Sequence, residues 1–246
     1  MCKCDLESAI MALSDPKQVA NLSRFFKTGK GQYGEGDQFL GIKVPYTRAA
    51  VRQHLSGTTM DDLERMIVSP YHEMRLAALL TLTSFCRKAR KDPKALERYA
   101  SFYLSHTPWI NNWDLVDLSC MDVLGRWLEK GDRSMLYDLV GEGRTIWEKR
   151  IGVVTSMYFV RKGELDDAFR LVELLMERTP KMHDLLQKAA GWTLRETGKK
   201  DMARLLEWLD GHAPTMPRTM LRYSLEKVEE PLRKDLMARK KDATKS

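Results

Sequence analysis

Apolar residues recur along this chain at spacings of three and four, and strand-like alternation is scarce, so the pattern predicts helices almost throughout. Prolines mark where they begin. Asp15-Pro16, Val44-Pro45, Ser69-Pro70, Asp92-Pro93 and Thr179-Pro180 each place a proline near a helix start, where its missing amide hydrogen costs nothing. Gly131-Asp132 and Gly163-Glu164 read as breaks. The expectation is about a dozen helices joined by short turns.

The same pattern repeats. Four segments align: Met74-Arg75-Leu76-Ala77-Ala78-Leu79, Asn112-Trp113-Asp114-Leu115-Val116-Asp117, Lys149-Arg150-Ile151-Gly152-Val153-Val154 and Gln187-Lys188-Ala189-Ala190-Gly191-Trp192. Their second members, at 75, 113, 150 and 188, are separated by 38, 37 and 38 residues. A period of about forty with two helices per unit is that of HEAT-like solenoids. The chain is therefore expected to be an all-α HEAT-like helical-repeat solenoid, one domain over residues 1–246. Its inner helices would line a concave face.

The register sorts side chains into columns. Arg75, Trp113, Arg150 and Lys188 share one; four residues on, Leu79, Asp117, Val154 and Trp192 share another. Residues i and i+4 lie on one helix face, which pairs Trp113 with Asp117 and Lys188 with Trp192. If these columns face the concave surface, the groove holds cations, two indoles and one carboxylate. An acid on an inward stripe is a poor core residue unless something pairs with it, and cations alternating with aromatics suit a nucleic-acid groove.

Composition narrows the class. With 43% hydrophobic and 30% charged residues the chain is no disordered polymer, and no apolar run approaches the roughly 18 residues of a membrane span. The opening MCKCDLESAI has no basic region followed by an apolar one, so no signal peptide is expected and a cytoplasmic location is the default. The net charge of +7 suits a polyanionic partner. Part of that charge lies in Arg239, Lys240, Lys241 and Lys245, a basic end over about 239–246 expected to be flexible. Cys86 and Cys120 fall in apolar helical patterns and Cys2 and Cys4 at the terminus. These spacings, with five histidines in no HxxxH or HExxH arrangement, give no metal site.

If the columns face a groove, they suit one chemistry. A purine alkylated at N3 or N7 is positively charged and already a good leaving group. The sugar cation that develops as it departs needs negative charge and electron-rich faces, which Asp117, Trp113 and Trp192 can supply.

At these residues the chain resembles the AlkD-like DNA alkylation repair family. The resemblance rests on Asn112-Trp113-Asp114-Leu115-Val116-Asp117, on Trp147-Glu148-Lys149-Arg150, on Lys188-Ala189-Ala190-Gly191-Trp192-Thr193-Leu194-Arg195-Glu196, and on Phe39-Leu40-Gly41-Ile42-Lys43-Val44-Pro45. It runs from about Phe25 to about Trp208 and implies a HEAT-like DNA glycosylase that releases positively charged N3- and N7-alkylpurines from duplex DNA. By position, Trp113 and Trp192 would contact the lesion deoxyribose, Asp117 would be the catalytic carboxylate, and Arg150 would grip the DNA backbone. Arg195, Lys43 and Tyr33 sit in or near motifs that line the same cleft, and Lys43 stands where the family commonly has a polar uncharged residue. Lys188 joins the DNA-binding set by its column. No cofactor is expected, and the partner is duplex DNA bound by a monomer. The alternative is a helical-repeat scaffold that binds duplex or unusual DNA without catalysis.

Overall fold

The computed structural model describes residues 5–239. Among them the protein is all-α, with fourteen helices, no strands, and one isolated bridge between Gln38 and Tyr71. No described helix is long and apolar enough to cross a membrane. Two compact units divide the chain at Trp127 and Leu128.

The first unit begins with α1 (Asp5–Ala12) and α2 (Pro16–Phe25), followed by a long irregular segment. Then come α3 (Val44–His54), α4 (Met60–Ile67), α5 (His72–Lys88) and α6 (Pro93–Ser105). The short α7 (Trp113–Asp117) is followed by a π-helical turn at Met121–Gly125. Local chemistry sets these starts. Asp15 and Asp92 cap α2 and α6 ahead of a proline, and Thr59 with Asp62 forms a capping box on α4. Helix α5 is the centre of the unit. It packs against α1, α3, α4, α6, α7 and the π turn, and every residue from His72 to Thr83 is buried. A helix covered on all sides can show no amphipathic stripe, and this one shows none.

The second unit contains α8 (Ser134–Val140), α9 (Ile146–Val160), α10 (Asp166–Arg178), α11 (Asp184–Gly198), α12 (Met202–His212), α13 (Arg218–Ser224) and α14 (Glu230–Ala238). Thr145 and Glu148 form a capping box on α9. Helix α9 packs on α8, α10 and α11, and α11 packs in turn on α12 and α13. Successive helix pairs bear out the helical-repeat expectation: the four aligned segments fall in α5, α7, α9 and α11. The register is tightest in this unit, where Arg150 and Lys188 are both the fifth residues of their helices.

Cys86 and Cys120 are buried free thiols, as expected; Cys2 and Cys4 lie outside the described residues. Arg239 differs from its expected place in a solvated end, because it pairs with Asp210 at 2.6 Å and Asp235 at 3.0 Å. The rest of the basic end, 240–246, lies outside the described residues.

Two glycines let the repeat helices approach closely. A Cβ on Gly152 would lie 2.7 Å from the Leu136 carbonyl oxygen, and one on Gly191 would lie 2.5 Å from both the Met220 carbonyl and Tyr223 Cβ. Gly191→Ala is therefore expected to force α11 from α13 and to destabilise the protein by about 1–3 kcal/mol, as overpacked interiors do. Urea denaturation checks this; an unchanged midpoint would show that the contact yields freely.

Candidate active site

The first turn of α5 carries three charged or polar residues, His72, Glu73 and Arg75, all buried. Glu73 turns toward the segment before α3. One of its oxygens accepts from the Leu40 amide at 2.9 Å, the other from Gly41 at 2.9 Å and Ile42 at 3.0 Å. Gly41 has φ +88°, and a Cβ there would lie 2.0 Å from the Asp15 carbonyl. A carboxylate binding three successive amides fixes the backbone of Phe39–Ile42 without any sheet. It leaves Lys43 exposed at the start of α3, where Lys43 and Tyr46 border a 280 Å³ cleft.

His72 and Arg75 turn the other way. The His72 ring lies 2.9 Å from Asp114 through Nε2 and 3.3 Å from Asp37 through Nδ1. Arg75 donates to Asp37 at 2.7 Å, to Asn111 at 3.2 Å and to the Ser69 carbonyl at 2.9 Å, while Asn111 donates to Asp37 at 3.1 Å. Arg75, expected in the groove column, is instead 2% exposed and belongs to this network. Burial opposes charge on His72, but the charge and hydrogen bond of Asp114, with the bond to Asp37, raise its pKa to about 9. Burial likewise pushes Asp37 upward, yet His72, Arg75 and Asn111 hold it below the ordinary carboxylate value.

An aromatic stack leans on the same histidine. Phe26 lies 4.8 Å and Phe39 4.7 Å from its ring, between centroids, and Phe26 and Phe39 stack at 5.1 Å. Phe26 also stacks on Trp113 at 5.3 Å, with an interplanar angle of 20°. Phe25, 61% exposed, meets Trp113 edge-on at 5.9 Å. Trp113 opens α7, its amide bonded to the Asn112 side chain at 2.9 Å. Along that turn the two acids part. Asp114 is 3% exposed and faces His72, whereas Asp117, like Trp113, is half-buried. Burial drives the phenol pKa of Tyr103 well above its ordinary value, and the charge of Asp117 adds to this.

In the second unit, Arg150 is 5% exposed and donates to the Leu185 carbonyl in the first turn of α11. Lys188 pairs with Asp184 at 2.6 Å, and Arg195 with Glu226 and, at 3.6 Å, Glu196. Trp192 is half-buried and donates its indole N–H to Glu196 at 3.2 Å. It borders a 270 Å³ cleft walled by Met157, Arg161, Glu196, Lys199 and Lys200. Burial pushes the Glu196 carboxyl upward, but Lys199, Arg195 and the Trp192 indole hold it below its ordinary value. Tyr33 is half-buried in the irregular segment between α2 and α3.

The expected residues thus fall in two groups. Trp113 and Asp117 sit one helical turn apart in the first unit, with Lys43 and Tyr33 on the segment before α3. Arg150, Lys188, Trp192 and Arg195 lie on α9 and α11 of the second. Sequence reasoning missed His72, Asp37 and Phe26, which lie 35 or more residues from the WDLVD turn. The available signal was Asp114 itself. It stands between Trp113 and the apolar Leu115 and Val116, and an acid buried among such residues needs a partner.

An all-α protein with paired helices, a half-buried indole and carboxylate on one turn, and basic side chains on its repeat helices fits the nucleic-acid-binding helical-repeat class. A family model described as DNA alkylation repair enzyme matches residues 6–228, and the chain belongs to that family. It is accordingly a protein of alkylation-damage repair whose substrate is DNA. Among solved structures, it is similar to one described as a predicted DNA alkylation repair enzyme from Enterococcus faecalis. That likeness has a TM-score of 0.67 and 17% identity, covers 88% of this chain and 97% of that one, and speaks for the fold. No curated protein matches the chain.

The raised pKa of His72 has a consequence for stability. Its folded value, about 9, lies above its ordinary 6.5, so the imidazolium's contribution is complete below about pH 6.5 and is lost as pH rises through about 9. The shift corresponds to about 3 kcal/mol. In urea melts, the gap between wild type and His72→Gln is expected to be widest near pH 6 and to shrink by pH 9.5. A gap independent of pH would contradict a charged His72.

Proposed function

We propose that this protein is a monofunctional DNA glycosylase that hydrolyses the N-glycosidic bond of positively charged N3- and N7-alkylpurines in duplex DNA. The observation that carries this reading is the division of the WDLVD acids. Asp114 is buried and engaged by His72, which leaves the half-buried Asp117, one turn from the half-buried Trp113, as the acid of that turn able to meet a substrate. Membership of the DNA alkylation repair enzyme family supports the same assignment.

The chemistry is as follows. The bond between C1′ and the purine nitrogen breaks, and its electron pair enters the ring and cancels the lesion's positive charge. The sugar is left as an oxocarbenium ion. Asp117 stabilises that ion electrostatically and orients the water that adds to C1′, whose proton passes to bulk water. A preorganised group of this kind contributes about 3–4 kcal/mol. Trp113 presents an electron-rich face to the developing cation, and Trp192 offers another to the lesion deoxyribose. Arg150, Lys188, Arg195, Lys43 and Tyr33 hold the phosphate backbone, so binding weakens with salt. Water is the only co-substrate, and the reaction needs no cofactor.

Duplex DNA containing N7-methylguanine is expected to release free base with the wild type, and Asp117→Asn is expected to lower the rate by about 10²–10³-fold. Duplex binding without base release by either protein would instead favour a non-catalytic DNA binder. Because the enzyme stabilises the sugar and relies on the lesion to leave, hypoxanthine and ethenoadenine, both neutral, are expected to be retained in duplex DNA. Efficient excision of either would overturn that account of specificity.

A further inference from the structure

The least explained group in the first unit is His72. It is a buried titratable side chain of α5 with no part in the chemistry above, yet it lies between two carboxylates from different segments and against two aromatic rings. The charged groups facing it are Asp37, from the segment before α3; Asp114, from α7; and Arg75, from its own helix. Glu73 faces away, toward the amides of Leu40–Ile42.

What depends on it differs on its two sides. Asp37 is bonded by Arg75 and Asn111 as well as by His72. Asp114 bonds the Leu115 amide through Oδ1 at 2.9 Å, while its Oδ2 meets His72. Removing the imidazole therefore loosens the α7 side more than the Asp37 side. That side has little rigidity of its own. Helix α7 has five residues and runs into a π turn, and a helix so short does not hold its shape without tertiary contacts. Yet it carries both Trp113 and Asp117. The indole is backed by Phe26, whose ring also rests on His72.

We propose that His72 is a positioning residue of the repair reaction: bridging Asp114 to Asp37 and supporting the Phe26 ring, it fixes the orientation of the Trp113 indole and the Asp117 carboxylate toward the lesion sugar. The assignment rests on the glycosylase reading. It says that His72 acts on the rate of the chemical step and not on the grip on DNA, because Asp37, on the segment that carries Tyr33 and Lys43, keeps its bonds from Arg75 and Asn111 when the imidazole is removed. A displacement of about 1 Å in a reacting group costs about 100-fold in rate.

The test compares wild type, His72→Gln and a control, His212→Gln, whose imidazole stacks on Trp208 in the second unit. Three quantities are measured: single-turnover release of N7-methylguanine, duplex Kd, and the indole ¹H–¹⁵N resonance of Trp113, assigned by its loss in Trp113→Phe. His72→Gln is expected to slow release by about 100-fold, with Kd within about twofold, and to shift the Trp113 resonance. In the wild type, that resonance is expected to move as pH is raised through about 9. The control should leave all three unchanged. A folded His72→Gln with wild-type rate, or with an unmoved Trp113 resonance, overturns the proposal. If the wild type releases no base, the glycosylase reading fails by itself, and the Trp113 resonance still decides the positioning claim. If His72→Gln does not fold, the wild-type titration decides it, and a resonance indifferent to pH across that range overturns it.

Discussion

The constraint on which the first unit depends is the burial of a charged helical turn. Helix α5 is enclosed from His72 to Thr83, so the side chains of His72, Glu73 and Arg75 have no access to bulk water. Buried charges persist only when paired and hydrogen-bonded. The protein meets this demand by bringing other segments to the turn: the Leu40–Ile42 amides to Glu73, Asp37 and Asn111 to Arg75, and Asp37 and Asp114 to His72. With His72 protonated, the two aspartates and the two cations of this last set are balanced.

A balanced buried set behaves cooperatively. Deleting one member leaves an uncompensated charge, at a cost of about 3–5 kcal/mol, whereas the intact set contributes much less than the sum of its pairs. Its value lies more in geometry than in stability. The segment that ends at Lys43 and the turn that carries Trp113 and Asp117 both hang on one turn of α5. They are far apart in sequence and have little regular structure of their own, so side chains must supply the register that helix-helix packing supplies elsewhere. In the second unit the opposite solution holds. Arg150, Lys188 and Trp192 sit on the long helices α9 and α11, brought close to their neighbours by Gly152 and Gly191.

This contrast explains what could be read in the sequence. Local signals were legible: Asp15-Pro16 and Asp92-Pro93 do start helices, and the four aligned segments do fall in successive repeat helices. Columns were legible only in part. Spacing alone places Arg75 with Trp113, Arg150 and Lys188, but Arg75 is a buried member of the His72 network, and Leu79 and Val154 of the second column are core residues. Periodicity reports that a side chain recurs on a face; it does not report whether that face meets water or another segment. The partners that decide this for Arg75 and Asp114 are Asp37 and His72, 38 and 42 residues away, and spacing alone does not show that these residues meet. The five-residue extent of α7 was equally hidden, since the WDLVD pattern continues into apolar residues that could extend a regular helix.

The two acids of one short turn illustrate how burial assigns roles that sequence leaves equivalent. Asp114 and Asp117 differ in neither type nor neighbourhood along the chain. Turned inward, Asp114 spends its charge on an imidazolium and becomes part of the frame. Asp117, half-buried on the same turn, is the more accessible of the two. An electrostatic catalyst needs both, because a carboxylate stabilises a transient cation best when its position is fixed before the cation forms. The proposed reaction, which draws its driving force from the lesion's own charge, asks mainly that Asp117 and the Trp113 indole be held in place. The elaborate part of such a site is the buried machinery that holds them still.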